Sequence, residues 1–327
     1  MVTDDSARLT VYTDGPPRAE VTVMLSHGFM VTADAWRIQA RQLSARGLRV
    51  VRYDQRAHGH STGGETAPTI DRLGADLASV ISTTSPHGPV VLAGHSMGGM
   101  ATLAMAVRQP LVIKSRRPRV ALISTACSKA QLLPGNHPLH WAKAAARASY
   151  SYPVCWLPPA ADVVRRRLPS RHPWVLRHDA QHRDDVPPPS WQAIRRTPTE
   201  QVARLWKSLR SYTTAERLHA LEDLGDRVEI ITGESDDWIP LSQTRELAQQ
   251  LPNARLHEPV SGAGHRLPSD RVGHAVVTQV LIRMAESALG EAEGMSTGQT
   301  LYRGERRCVE TVNHLPLRCP SGWGPTR

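Results

Sequence analysis

Residues 94–98 read Gly-His-Ser-Met-Gly, and another glycine follows at 99. Glycines packed around one hydroxyl suit a turn so tight that side chains two positions either side would meet neighbouring backbone. The apolar run "PVVLAG" (89–94) leads into this turn, and "SMGGMATLAMAV" (96–107) leaves it with helical character. A serine lifted on a strand-to-helix turn is presented as a nucleophile, and the helix start beneath it favours developing negative charge. Ser96 can attack only if a base takes its proton, and the base needs a carboxylate to fix its tautomer. Two later loops supply such groups: "GESDDWIP" (233–240) carries Asp236 and Asp237, and "SGAGHRLP" (261–268) carries His265. Either aspartate could instead start the helix expected from 240. The loop after "RVALIS" (119–124) reads Thr125-Ala126-Cys127 and offers no acid. Two donors must face the oxygen that becomes negative in the tetrahedral intermediate. The backbone N–H of Met97 is one, and that of Phe29 in "SHGFM" (26–30), where His27-Gly28 turns the chain, is the natural second.

Such groups need rigid elements to bring them together. Short apolar runs at 21–25, 48–54, 89–94 and 119–124 alternate with helical patterns at 33–47, 69–82 and 96–107. Thr69 suits an N-cap, Gly47 a C-cap, and Ile70, Leu73, Leu77, Val80 and Ile81 share one helical face. The alternation predicts a parallel sheet flanked by helices, with the chemistry-bearing loops gathered at the carboxyl ends of its strands. From Ser128 to about Leu224 the character changes: eleven of the 25 prolines and five of the eight tryptophans (Trp141, Trp156, Trp174, Trp191, Trp206) fall here, with no strand pattern. The α/β pattern resumes at 227–233, followed by a helix at 240–250, a short strand at 254–258 and a helix near 270–289. The chain therefore divides into a first core segment (1–127), a mainly helical insertion (128–225), a second core segment (226–289) and an aperiodic tail (290–327) expected to be disordered.

Composition narrows the function classes. Forty per cent hydrophobic and 21% charged residues are globular proportions. No apolar run reaches membrane-spanning length, and the polar start "MVTDDSARLT" is unlike a secretory signal. Cys127, Cys155, Cys308 and Cys319 lack paired zinc spacing, which fits a reduced, cytoplasmic protein. Cys308, His314 and Cys319 offer only three ligands at no common spacing, so no metal or other cofactor is expected. The net charge is +10, and residues 128–225 hold fifteen Lys and Arg against eight Asp and Glu. These arginines are interspersed with proline and tryptophan, the mark of a solvated face, and no recognition helix accompanies them; no nucleic-acid partner is expected.

Taken together, "SHGF", "YDQRAHGHS" (53–61), "GHSMGG", "GESDDWIP" and "GAGHRLP" resemble the α/β-hydrolase superfamily, most closely bacterial serine esterases, lysophospholipases and monoacylglycerol-lipase-like enzymes. The resemblance covers roughly residues 8–125 and 226–288. It implies an α/β-hydrolase fold with an eight-stranded, mostly parallel sheet, and makes 128–225 a helical cap over the site. It further implies Ser96 as nucleophile on the elbow Gly94-His95-Ser96-Met97-Gly98, His265 as base, and Phe29 and Met97 as oxyanion donors. Asp236 is the implied acid because it stands three after Gly233 and four before Pro240. Asp54 and Arg56 match a segment that usually braces the loops. Ala57 stands where the family usually has glycine, which is tolerable if its φ is negative.

A serine at position 96, where other members carry aspartate, argues against dehalogenase and epoxide hydrolase chemistry. It leaves acyl transfer from esters, thioesters or lactones to water, with peracid formation as a side reaction. The expectation is a serine hydrolase acting on a small-molecule carboxylic ester, lipid-like or with a small apolar acyl group. The alternatives are a thioesterase or biosynthetic acyl-transfer enzyme, and a non-catalytic ligand-binding protein on the same fold. Oligomeric state is not legible in the sequence.

Overall fold

Strands covered on both faces can carry no exposed side chain, and every residue of Thr22–Ser26 and Val90–His95 is buried. They are the centre of a sheet seen in a computed structural model that describes residues 1–128, 162, 163, 167, 196–214 and 217–312, with side chains described through residue 292. Its strands are β1 (Val11–Asp14), β2 (Thr22–Ser26), β3 (Arg49–Tyr53), β4 (Val90–His95), β5 (Arg119–Ile123), β6 (Val228–Ile231) and β7 (Arg255–Leu256). They lie in the order β1-β3-β2-β4-β5-β6-β7, with β1 antiparallel to β3 and every other pairing parallel. The eight strands implied by resemblance are thus seven among the described residues. β1 is a short, mostly half-buried edge strand without the apolar run of the others.

The helices are α1 (Arg37–Ser44), α2 (Ile70–Thr84), α3 (Met97–Arg108), α4 (Pro110–Arg116), α5 (Thr199–Ser211), α6 (His219–Glu222), α7 (Leu241–Gln250) and α8 (Gly273–Val312). The Thr69 hydroxyl accepts from the Arg72 N–H at 3.1 Å, so the expected cap forms. The single helix expected at 33–47 is a 3-10 turn, Ala33–Trp36, followed by α1. The last helix continues past 289 to Val312, and residues 313–327 lie outside the described residues. So do Trp141, Trp156, Trp174 and Trp191 and most of the insertion.

On one face of the sheet, Leu73 and Leu77 pack with Met100 and Leu103 of α3; on the other, Trp36 and Leu43 pack with Val277 and Leu281 of α8. Each large apolar side chain so buried contributes about 1.5–3 kcal/mol. Beneath the β3 end, Arg56 is fully buried between two carboxylates. Its Nε and Nη2 donate to Asp76 at 2.6 and 2.8 Å, and Nη1 and Nη2 donate to Asp5 at 2.8 and 2.9 Å. Asp54 accepts from the N–H groups of Ala33 and His60, both at 2.9 Å. Both side chains therefore brace loops. Ala57 corrects one expectation: its φ is +60°, not negative. That conformation costs a residue bearing a Cβ about 1–2 kcal/mol, and the turn is kept by the Ala57 N–H donating to Thr62 O at 3.1 Å.

Candidate active site

The peptide between β4 and α3 makes the elbow. Ser96 is held at φ 53° and ψ −117°, a conformation that a residue with a side chain keeps only when its surroundings enforce it. Three bonds enforce it here: the Ser96 N–H donates to Ile123 O at 2.9 Å, and the Ser96 carbonyl accepts from the Met100 N–H at 3.0 Å and the Thr125 hydroxyl at 2.8 Å. A Cβ at Gly98 would lie 2.3 Å from Ser26 O, so only glycine lets α3 approach β2, with Gly94 facing it across the turn. Met97 is the first residue of α3, and its N–H has no partner within the helix.

Asp236 and His265 arrive on two loops tied to each other. The Glu234 N–H donates to Val260 O at 3.0 Å and the Ser235 N–H to Ala263 O at 2.9 Å. This brings His265 Nε2 to 3.0 Å from Ser96 Oγ and His265 Nδ1 to 3.0 and 2.9 Å from the two oxygens of Asp236. Asp236 also accepts from the N–H groups of Trp238 and Ile239 at 2.9 and 2.8 Å. Burial opposes its charge, but His265 and these donors prevail and hold its pKa below the usual aspartate value. Asp237 is exposed and Asp236 buried, which separates the two candidates. The Trp238 ring stacks on His265 with centroids 5.9 Å apart, and the His95 ring lies 5.0 Å from it.

The loop carrying Phe29 is fixed by two histidines. The Gln55 N–H donates to His27 Nε2 at 2.9 Å, so the ring proton sits on Nδ1 and is donated to Gly28 O at 2.8 Å. Likewise the Met30 N–H donates to His58 Nε2 at 3.3 Å, and His58 Nδ1–H donates to Arg56 O at 3.1 Å. Burial pushes these pKa values down, His27 to about 4 and, with His27 also beside it, His58 to about 3. Phe29 stacks on Trp206 of α5 with centroids 5.8 Å apart, so the returning insertion touches the proposed oxyanion loop.

The structure thus brings Ser96, Asp236 and His265 together, with Phe29 and Met97 on the two segments bordering the serine. Sequence reasoning passed over Trp238, His58 and the bond made by His95; each stands inside a motif that was read for its neighbours. Among the described residues no three His, Cys, Asp or Glu side chains gather as a metal site, and no helix is long and apolar enough to cross a membrane.

A family model described as "alpha/beta hydrolase fold" matches residues 21–270. The chain belongs to the α/β-hydrolase fold family. RutD of Caulobacter sp. (strain K31), whose name assigns it to carbamate hydrolysis, is 28% identical over 274 residues, 82% of this chain and 92% of its own. A non-heme chloroperoxidase of Streptomyces lividans is 34% identical over 98 residues, only 30% of this chain and 35% of its own. Among solved structures, an enol-lactonase from Burkholderia xenovorans LB400 superposes with a TM-score of 0.57 at 25% identity, over 85% of this chain and 96% of its own. A thermophilic esterase from Thermogutta terrifontis, with a TM-score of 0.62 at 20% identity over 88% and 96%, shares the fold. This α/β hydrolase is therefore an enzyme whose relatives carry names from ester, lactone and carbamate hydrolysis to haloperoxidation.

Proposed function

We propose that this α/β hydrolase cleaves a small-molecule carboxylic ester through an acyl-enzyme on Ser96. One observation carries the reading: an unbroken run of hydrogen bonds from Ser96 Oγ through the His265 ring to the buried Asp236 carboxylate, each link about 3.0 Å. In this reading His265 Nε2 takes the Ser96 proton as Oγ attacks the ester carbonyl, and the carbonyl oxygen becomes an oxyanion facing the Phe29 and Met97 N–H groups. The tetrahedral intermediate expels the alcohol, which receives the proton from His265. Water, deprotonated by the same ring, then attacks the acyl-enzyme and releases the carboxylic acid. Asp236 stays ionised throughout and steadies the imidazolium. Phe29, stacked on Trp206, and Trp238, stacked on His265, favour a substrate with an apolar or flat acyl group. A cytoplasmic setting belongs to the same reading, supported by the buried free thiol of Cys127.

A non-catalytic binding protein would need no base held between serine and carboxylate, so the enzyme is favoured. The test is labelling with a fluorophosphonate probe beside Ser96→Ala and His265→Ala, then p-nitrophenyl esters and acyl thioesters of increasing chain length. Labelling lost in Ser96→Ala, with turnover of the oxygen esters peaking at one length, is expected. Faster turnover of thioesters would move the substrate class. Folded wild-type protein that neither labels nor turns over any acyl donor would overturn the reading.

A further inference from the structure

His95 is the last residue of β4 and the neighbour of Ser96, yet its side chain reaches the other half of the chain. Its Nε2 lies 2.8 Å from the backbone carbonyl oxygen of His265, 170 residues away. A carbonyl only accepts, so Nε2 carries a proton and donates it. The ring is buried, 5% exposed, with the backbone of the Phe29 loop against its other edge: a Cβ on Gly28 would lie 2.8 Å from Nδ1. His95 is thus wedged between the loop that carries the Phe29 N–H and the loop that carries the base.

We infer that His95 is a positioning residue that sets the distance between the base loop and the nucleophile, through the hydrogen bond from its Nε2–H to the His265 carbonyl. The inference rests on the proposed acyl transfer. The base loop is otherwise tied on either side of His265, at Ala263 O by the Ser235 N–H and at Arg266 O by the Asp270 N–H. His95 supplies the bond at residue 265 itself, where any slack passes directly to the 3.0 Å gap between Nε2 and Ser96 Oγ. The bond needs a donor that keeps its proton while remaining neutral. The groups facing His95 decide this: burial first and then the His265 ring disfavour its protonated form, with a smaller push from the charge of Arg266. They outweigh the opposing pull of the bond to the His265 carbonyl and of Asp236, so that its pKa is held down to about 3. His95 therefore stays neutral beside His265 even while His265 is an imidazolium, and does not compete for the transferred proton.

Two replacements separate the bond from the bulk. His95→Leu fills similar space without a donor, whereas the side-chain amide of His95→Gln can donate from near the Nε2 position. A displacement of the base by about 1 Å can cost on the order of 100-fold in rate. His95→Leu should thus lower kcat for a p-nitrophenyl ester by about 10- to 100-fold with KM little changed, and slow fluorophosphonate labelling equally. His95→Gln should recover most of the loss. A folded His95→Leu with wild-type kcat, or a His95→Gln no better than His95→Leu, would overturn the inference. Should His95→Leu fail to fold, ring nitrogen NMR of the wild type decides: a neutral Nε2–H tautomer from neutral to mildly acid pH supports the bond, and an Nδ1–H tautomer refutes it. Wild-type protein inert to every acyl donor would instead refute the ester reading, and that shows before any His95 variant is compared.

Discussion

Three histidines around the site are buried as neutral rings, and acidification should therefore unfold this protein from a milder pH than its carboxylates alone would set. His27 and His58 each accept a backbone N–H at Nε2, from Gln55 and Met30, so protonating either ring would set N–H against N–H. His95 lies between the Phe29 loop and His265. Their folded pKa values, about 4, 3 and 3, stand below the ordinary 6.5. Below that ordinary value the unfolded chain binds protons the native state refuses, so stability falls as the pH drops through 6.5 and goes on falling until the folded values are reached. At pH 5 each histidine removes about 2 kcal/mol relative to mildly alkaline solution, and the three together about 6 kcal/mol. Domains of ordinary stability have about 5–15 kcal/mol in all. Asp5, Asp236 and Glu229, whose pKa values are lowered, act in the same direction but chiefly below about pH 4, so the window above pH 5 belongs to the histidines. Urea unfolding followed by tryptophan fluorescence at pH 8, 6.5 and 5 should give midpoints that fall steeply across the last interval, with about three protons taken up per molecule unfolded at pH 5. Unfolding free energies that stay level from pH 8 to 5 would refute the reasoning, because rings that titrate normally in the fold cost nothing.

Asp236→Asn should lower kcat by about 10⁴-fold through loss of the charge that fixes the His265 tautomer, while Asp237→Asn keeps most of the activity; steady-state kinetics on one p-nitrophenyl ester compare them. Gly98→Ala places a methyl 2.3 Å from Ser26 O and should destabilise by about 3 kcal/mol or more, seen as a lowered urea midpoint or failure to fold.

The features legible in the sequence share a physical trait: their signal is local. Apolar runs mark β2 to β6 because those strands are covered on both faces, and Thr69 announces α2 because a cap is a contact over three residues. The elbow was legible because its five-residue pattern is itself local, with Gly94 meeting Gly98 across the turn, although Gly98 also answers to Ser26 and Gly99 to the Thr125 side chain, both far off in the chain. What escaped depends on distant partners. β1 becomes a strand by pairing with β3, and its four residues alone carry no pattern. Ala57 adopts a left-handed turn because Thr62 and the loop around Arg56 require it, so its φ could not be read from its type. The choice between Asp236 and Asp237 followed from family spacing alone, and burial then separates the two by which side chain turns toward His265. Helix α8 runs past 289 through a stretch rich in glycine and threonine, where composition argued for a stop.

The pairing of β5 with β6 has a consequence during synthesis. Arg119–Ile123 leaves the ribosome early, while its partner Val228–Ile231 follows only after residues 124–227 have been made. At roughly 5–20 residues per second, the nascent chain spends on the order of 5–20 s with the open side of a buried strand uncovered. Unpaired N–H and C=O groups along such an edge invite pairing with other nascent chains. The insertion is thus also a delay, and Ser96 waits longer still for His265, which follows it by 169 residues.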